Sequence, residues 1–227
     1  MKRFWQDVAI TSDGGIALDG RPVRTPGRLP LAVPFPALAD AIADEWRAVG
    51  ETIDPRTMPL TGLANAAIER IAPDAPAFAG GIAVYGGSDL LCYRAEPGPL
   101  VDRQAAAWDP VLDWAKERYG VDFTVIDGVM PVEQPPRTLA RLREAVVALS
   151  PWALAPLSPV VSLTGSLLLG LALVEQAIDA DAAWAAAHVD EDWQAEQWGH
   201  DMLAAETRAA HAADYRGAIR FLELIRA

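Results

Sequence analysis

Between Ala145 and Val174 the chain carries no charged side chain, and this segment limits the fold more than any other feature. A stretch so apolar must be buried, either in protein or in lipid. Pro151, Pro156 and Pro159 interrupt its first half and leave residues 160–174 as the helical part. That is roughly 15 residues, against the roughly 20 needed to cross a bilayer. A buried core helix over Ser162–Val174 is therefore expected. A chain of 227 residues, 52% apolar and 22% charged, is long enough to enclose it in one large domain or two small ones.

The texture of the chain changes along its length. Short strands are expected at Val8–Ile10, Ile16–Leu18 and Arg21–Arg24, separated by Ser12-Asp13-Gly14-Gly15 and by Asp19-Gly20, the favoured two-residue hairpin signal. Leu29–Val33 could add a strand. Helical periodicity follows over Pro36–Val49, with Leu38, Ile42, Trp46 and Val49 on one stripe and Gly50 expected in a left-handed closing position. Further helices are predicted over Thr61–Ile71, ended by Ala72–Pro76, and over Val101–Tyr119, ended by Gly120. Ser88–Tyr93 and Val121–Ile126 read as extended. After Gly128 a proline-rich joint, Val129–Pro136, leads into alanine- and leucine-rich sequence, with helices expected over Arg137–Leu149, Ser162–Val174, Asp181–His188, Glu191–Ala213 and Tyr215–Ile225. The predicted class is α+β: an α+β domain over residues 1–128, then a helical bundle over residues 129–227.

Charge and cysteine content exclude several functions. The formal balance is −12, and the only lysines are Lys2 and Lys116, which argues against a nucleic-acid partner. Neither lysine sits in the glycine-rich loop that nucleotide phosphates require. Cys92 is the only cysteine, so no disulfide within the chain and no multi-thiolate metal site is available, as suits a reducing compartment. The amino terminus has no apolar run behind its basic residues and is not a secretory signal; the mature chain is expected to start at or near Met1. Thr164-Gly165-Ser166 lacks the Gly-x-Ser-x-Gly setting of a nucleophile and reads as small residues at a helix contact. His200 and His211 stand three turns apart on a continuous helix, and Glu196 with His200 is a common surface pair, so no metal and no cofactor are expected.

A set of phrases in fixed order runs through the chain: Arg3-Phe4-Trp5, Asp19–Pro26, Glu45-Trp46, Met58–Thr61, Leu90–Arg94, Trp108-Asp109-Pro110, and Glu191–Gln194 through Trp198-Gly199. From residue 3 to at least residue 201 this order resembles the assembly chaperones of the F-type ATP synthase alpha subunit, found in mitochondria and alphaproteobacteria. The resemblance implies an ATP-independent binder of free alpha subunit, displaced by the beta subunit, without enzymatic activity, nucleotide or stable membrane insertion. It implies the cytoplasm as location in a bacterium and the mitochondrial matrix in eukaryotic relatives. It places functional emphasis on an acid in the late helical motif, carried to Glu191, with Asp190 and Glu196 as alternatives.

The residues themselves leave two readings of Glu191 open. On a continuous helix from Trp184 to Ala209, the positions Trp184, His188, Glu191, Ala195, Trp198 and Met202 share one stripe, and a carboxylate there is unusual. With a helix break near Val189-Asp190, Asp190 becomes an N-cap and Glu191 a first-turn acid, favoured merely by the helix dipole. Trp193 and Trp198 flank the motif as partner anchors or as core. Trp46 and Trp108 read as core residues. A soluble carboxylate hydrolase with a pocket between the two domains is the alternative from another class, since paired acids need not be neighbours in sequence.

Overall fold

A computed structural model describes residues 2–128, 130–199 and 202–227. The class is α+β, with a small strand region and helices first and helices thereafter. Contacts gather the chain into two compact units: residues 1–75, 150–156 and 214–227 form one, and residues 76–149 and 157–213 the other. This grouping differs from the division expected at residue 128. Residues 76–128 gather with later sequence because their longest helix packs on the helices beyond residue 136.

In the first unit, β1 (Val8–Ile10), β2 (Ile16–Leu18) and β3 (Arg21–Pro22) form an antiparallel sheet in that order, with Val8 opposite Leu18 and Leu18 opposite Arg21. The Asp19-Gly20 signal is a two-residue hairpin with φ of 48° and 75°, the doubly positive turn whose twist suits paired strands. Asp19 adds a second function, because its carboxylate accepts the backbone N–H groups of Asp7 at 2.8 Å and Gln6 at 3.0 Å. Those bonds hold its pKa below the usual range. Leu29–Val33 is not a strand: Pro30 lacks a donor, and the segment is held by single bridges, Arg24 to Pro30 and Gly15 to Ala32.

Helix α1 (Pro36–Ala48) buries Leu38, Ile42 and Trp46 together with Trp5, Ile16, Leu18, Leu60 and Phe221. Its end departs from expectation, since Val49 turns extended at ψ 125° and Gly50 does not take the left-handed conformation. Helix α2 (Pro59–Ala66) starts earlier than Thr61, with Pro59 in the first turn, and widens into a π-type turn over Ala67–Ile71.

In the second unit, α3 (Ala75–Ala83) begins inside Ala72–Pro76, the segment expected to break a helix. Ser88–Tyr93 is a short 3-10 turn at Leu90–Cys92 followed by β4 (Tyr93–Arg94), which pairs in parallel with β5 (Ile126–Asp127). Val121–Val125 is not a strand, because the Gln134 side chain takes both backbone groups of Thr124. Helix α4 (Pro99–Tyr119) ends at Gly120 in the left-handed conformation, φ 63°.

The remaining helices are α5 (Pro136–Val147), α6 (Pro151–Thr164), α7 (Leu167–Val174), α8 (Ala180–Ala187), α9 (Val189–Trp198) and α10 (Met202–Leu224). Instead of stopping the helix, Pro156 and Pro159 lie inside α6. Each costs about 3 kcal/mol in a helix interior, and full burial of Leu154, Leu157 and Val160 offsets that cost. The expected Ser162–Val174 helix is broken at Gly165, φ 65°, and its second half, α7, is buried along nearly its whole length. Among the described residues no helix is long and apolar enough to cross a membrane.

Candidate functional site

The late motif is not one helix. Helix α8 stops at Ala187, His188 occupies the cap position, α9 begins at Val189 and ends before Gly199 at φ 87°. The continuous stripe from Trp184 to Ala209 is therefore not formed. The break falls two residues before Asp190, so Asp190, Glu191 and Asp192 all lie in the first turn of α9, where negative charge is favourable. His211 is exposed on α10, and the Glu196–His200 pair lies partly outside the described residues.

Helix α4 holds α9 through two adjacent residues. Gln104, fully buried, accepts the Ala95 N–H at 2.8 Å and donates to Asp190 Oδ1 at 2.7 Å. Arg103 reaches both Glu196 oxygens at 2.8 Å and lays its guanidinium 4.7 Å from the centre of the Trp193 ring. The Arg103 hydrogen bond keeps Glu196 below the usual carboxylate range. Asp192 is taken by Arg208. Trp193 is thus half-buried against a cation, and both alternative acids, Asp190 and Glu196, already hold partners.

Glu191 differs. Its side chain is 62% exposed, and the polar group recorded against it is His188 Nε2 at 3.9 Å, beyond hydrogen-bond length. His188 itself is buried, stacks on Trp184 at 3.9 Å and sets Nδ1 2.8 Å from the Trp184 carbonyl. A carbonyl only accepts, so Nδ1 carries the proton of that bond. On the outward face of α9, Glu191, Gln194 and Trp198 are all exposed, Trp198 at 78%, and Met202 and Leu203 open α10 at 81% and 73%. Large apolar side chains so bare are the exception on a folded surface.

Trp46 and Trp108 are core residues. Trp46 meets Trp5 edge to face at 5.4 Å, and the Trp108 indole donates to the Ala186 carbonyl at 2.7 Å, which joins α4 to α8. Sequence reasoning missed Arg103 and Gln104, since their bonds span 86 to 93 residues, whereas His188 was already on one stripe with Glu191. The buried acids Glu45 and Asp89 are likewise structural: each spends its carboxylate on the N-terminus of a helix. Ser166 is sealed in the core beside Asp89, donating to it at 2.7 Å while capping Leu169.

A family model described as ATP12 chaperone protein matches residues 2–116, just over half of the chain. The chain belongs to the ATP12 chaperone family. Over 214 residues it is 25% identical to the mitochondrial protein atp12 of Schizosaccharomyces pombe, covering 87% of this chain and 74% of the relative. Its fold matches an aspartate-to-lysine mutant of Paracoccus denitrificans Atp12p with a TM-score of 0.93 and 47% identity, over 99% of this chain and 98% of that one. The Agrobacterium tumefaciens protein Atu1473 matches at 0.90 and 46%, over 98% and 85%. The chain is thus a chaperone of the ATP synthase assembly class, with relatives in mitochondria and bacteria.

Proposed function

We propose that this protein binds the free alpha subunit of the F-type ATP synthase catalytic head, keeps it from aggregating and yields it to the beta subunit. The observation that carries this reading is the outward face of α9, where Glu191 and Trp198 stand exposed while neighbouring acids are tied to the scaffold. An exposed apolar anchor on one face with an exposed charge suits a surface that covers another protein and later lets go.

Glu191 and Trp198 are the contact residues of this proposal. Asp190, Glu196 and Trp193 brace the helix that presents them. Release needs no fuel, because a beta subunit with higher affinity removes alpha by mass action. The chain acts as a binder without cofactor, in the bacterial cytoplasm or the mitochondrial matrix. Against a hydrolase stands the use of Glu45 and Asp89 as helix caps.

The test is light scattering and co-elution with freshly refolded cognate alpha subunit, without ATP, followed by addition of beta. Wild type will suppress scattering and co-elute until beta is added, and Glu191→Lys will do neither. Absence of co-elution by the wild type, or a need for ATP hydrolysis, would overturn the reading.

A further inference from the structure

The charge of this chain is unevenly distributed. The unit of residues 76–149 and 157–213 carries 8 arginines and lysines against 19 aspartates and glutamates, a balance of −11. The other unit carries 11 against 12, a balance of −1. Nearly all the negative field therefore arises from the unit that contains α9. Such a field draws cationic surfaces and repels acidic ones, but by itself names no contact point.

The contact point comes from His188 and Glu191. With Nδ1–H committed to the Trp184 carbonyl, Nε2 is the ring nitrogen left to face Glu191. It stands 3.9 Å from the Glu191 Oε2, and Arg208, hydrogen-bonded to Asp192, lies near enough to interact with the Glu191 charge but makes no hydrogen bond to it. His188 is 95% buried by the fold, with its ring stacked on Trp184. Among the described residues the exposed Glu191 carboxylate has no hydrogen-bond donor, and a charged N–H group is the partner that would complete it.

We propose that the outward face of α9 receives a cationic side chain of the client, an arginine or lysine, held jointly by the Glu191 carboxylate and His188 Nε2. An apolar client residue beside it packs on Trp198. This rests on the client reading above and specifies its chemistry. Glu191 and Trp198 are two turns apart on one face, about 10 Å along the axis, so the client segment presents a basic and an apolar side chain at that spacing. Gln194, exposed between them, spans the gap without charge. The acids flanking this stripe cannot substitute for Glu191, because Gln104, Arg208 and Arg103 occupy them.

The experiment measures the Kd of purified cognate alpha subunit at low and at high ionic strength for four proteins. These are the wild type, Glu191→Gln, Trp198→Ala and Glu206→Gln, which removes another exposed acid of the same unit. All the changed side chains are exposed, so matched thermal unfolding is expected. Glu191→Gln will weaken binding about tenfold at low salt and flatten the salt dependence. Trp198→Ala will weaken it by a similar factor with the salt dependence intact, and Glu206→Gln will stay within about twofold. Equal binding and equal salt dependence for wild type and Glu191→Gln would overturn the proposal while leaving the chaperone reading in place. Glu206→Gln matching Glu191→Gln would reduce the receptor to diffuse charge and overturn it as well. If the wild type does not bind alpha at all, the client reading falls and the contact falls with it.

Discussion

The Glu45 carboxylate accepts the Thr61 hydroxyl at 2.7 Å and the backbone N–H of Thr61 at 2.8 Å, and takes the N–H of Leu60 at 2.8 Å on its other oxygen. One acid on α1 thereby caps the first turn of α2, where helix N–H groups have no partner of their own. Burial pushes its pKa up, against the pull of those bonds. Replacing it by alanine strands the Leu60 and Thr61 donors in a half-buried position. Glu45→Ala will lower stability by about 1–2 kcal/mol in chemical denaturation, and Glu45→Gln by less.

Its neighbour Trp46 tests the core of the same unit. The ring packs among Trp5, Leu38 and Ile42, and its indole N–H has no hydrogen-bond partner, so this side chain is there for its apolar bulk. Trp46→Arg forces a cation into that space and will cost more than about 4 kcal/mol, enough to leave little folded protein. An unchanged thermal transition would refute the core assignment.

Asp89 supplies a pH-dependent contribution to stability. It is wholly buried, and burial pushes its pKa up to about 6 although Leu168 N–H at 3.0 Å, Leu91 N–H at 3.1 Å and Ser166 donate to it. The folded value lies above the ordinary one of 3.8. The stabilisation is therefore complete below about pH 4 and is lost as pH rises through about 6, with about 3 kcal/mol at stake. Asp89→Asn cannot titrate. Measured by urea unfolding, the stability of wild type relative to Asp89→Asn will fall between pH 4 and pH 7 by about that amount. A difference that stays flat would mean the carboxyl is not shifted.

Cys92 lies three residues on, fully buried, with its thiol pushed up to about 12 by burial and by the nearby Asp89 charge. A thiol so held is almost never thiolate at neutral pH. A disulfide-exchange reagent will titrate no thiol in the folded chain and one after denaturation.

How much of this was legible in the sequence depends on the range of the interactions. Local signals were sound: Asp19-Gly20 makes the hairpin, Gly120 closes α4, and the Leu38–Ile42–Trp46 stripe is core. Elements whose form depends on a distant partner were misread. Tyr93-Arg94 is a strand because it meets Ile126-Asp127, and α6 tolerates its prolines because its leucines are buried. The late motif illustrates both cases. Its acids and tryptophans were visible in order, but which acid is spoken for was decided by Arg103 and Gln104, residues with no sequence periodicity linking them to α9.

Gln104 gives that last point a measurable form. Its amide links the Ala95 backbone to Asp190, so it anchors the first turn of α9, the turn that carries Glu191. Leucine has nearly the same volume and would keep the packing while removing both bonds. Gln104→Leu leaves the Ala95 N–H unsatisfied and Asp190 without its donor, at a cost of about 1–3 kcal/mol. The loss will be local: hydrogen exchange over residues 189–198 will speed up, while protection around Trp46 stays as in the wild type. Affinity for the alpha subunit will fall with it, because a loosened first turn no longer holds Glu191 against His188. Unchanged exchange in α9 would show that Arg103 and Arg208 are sufficient to hold the helix.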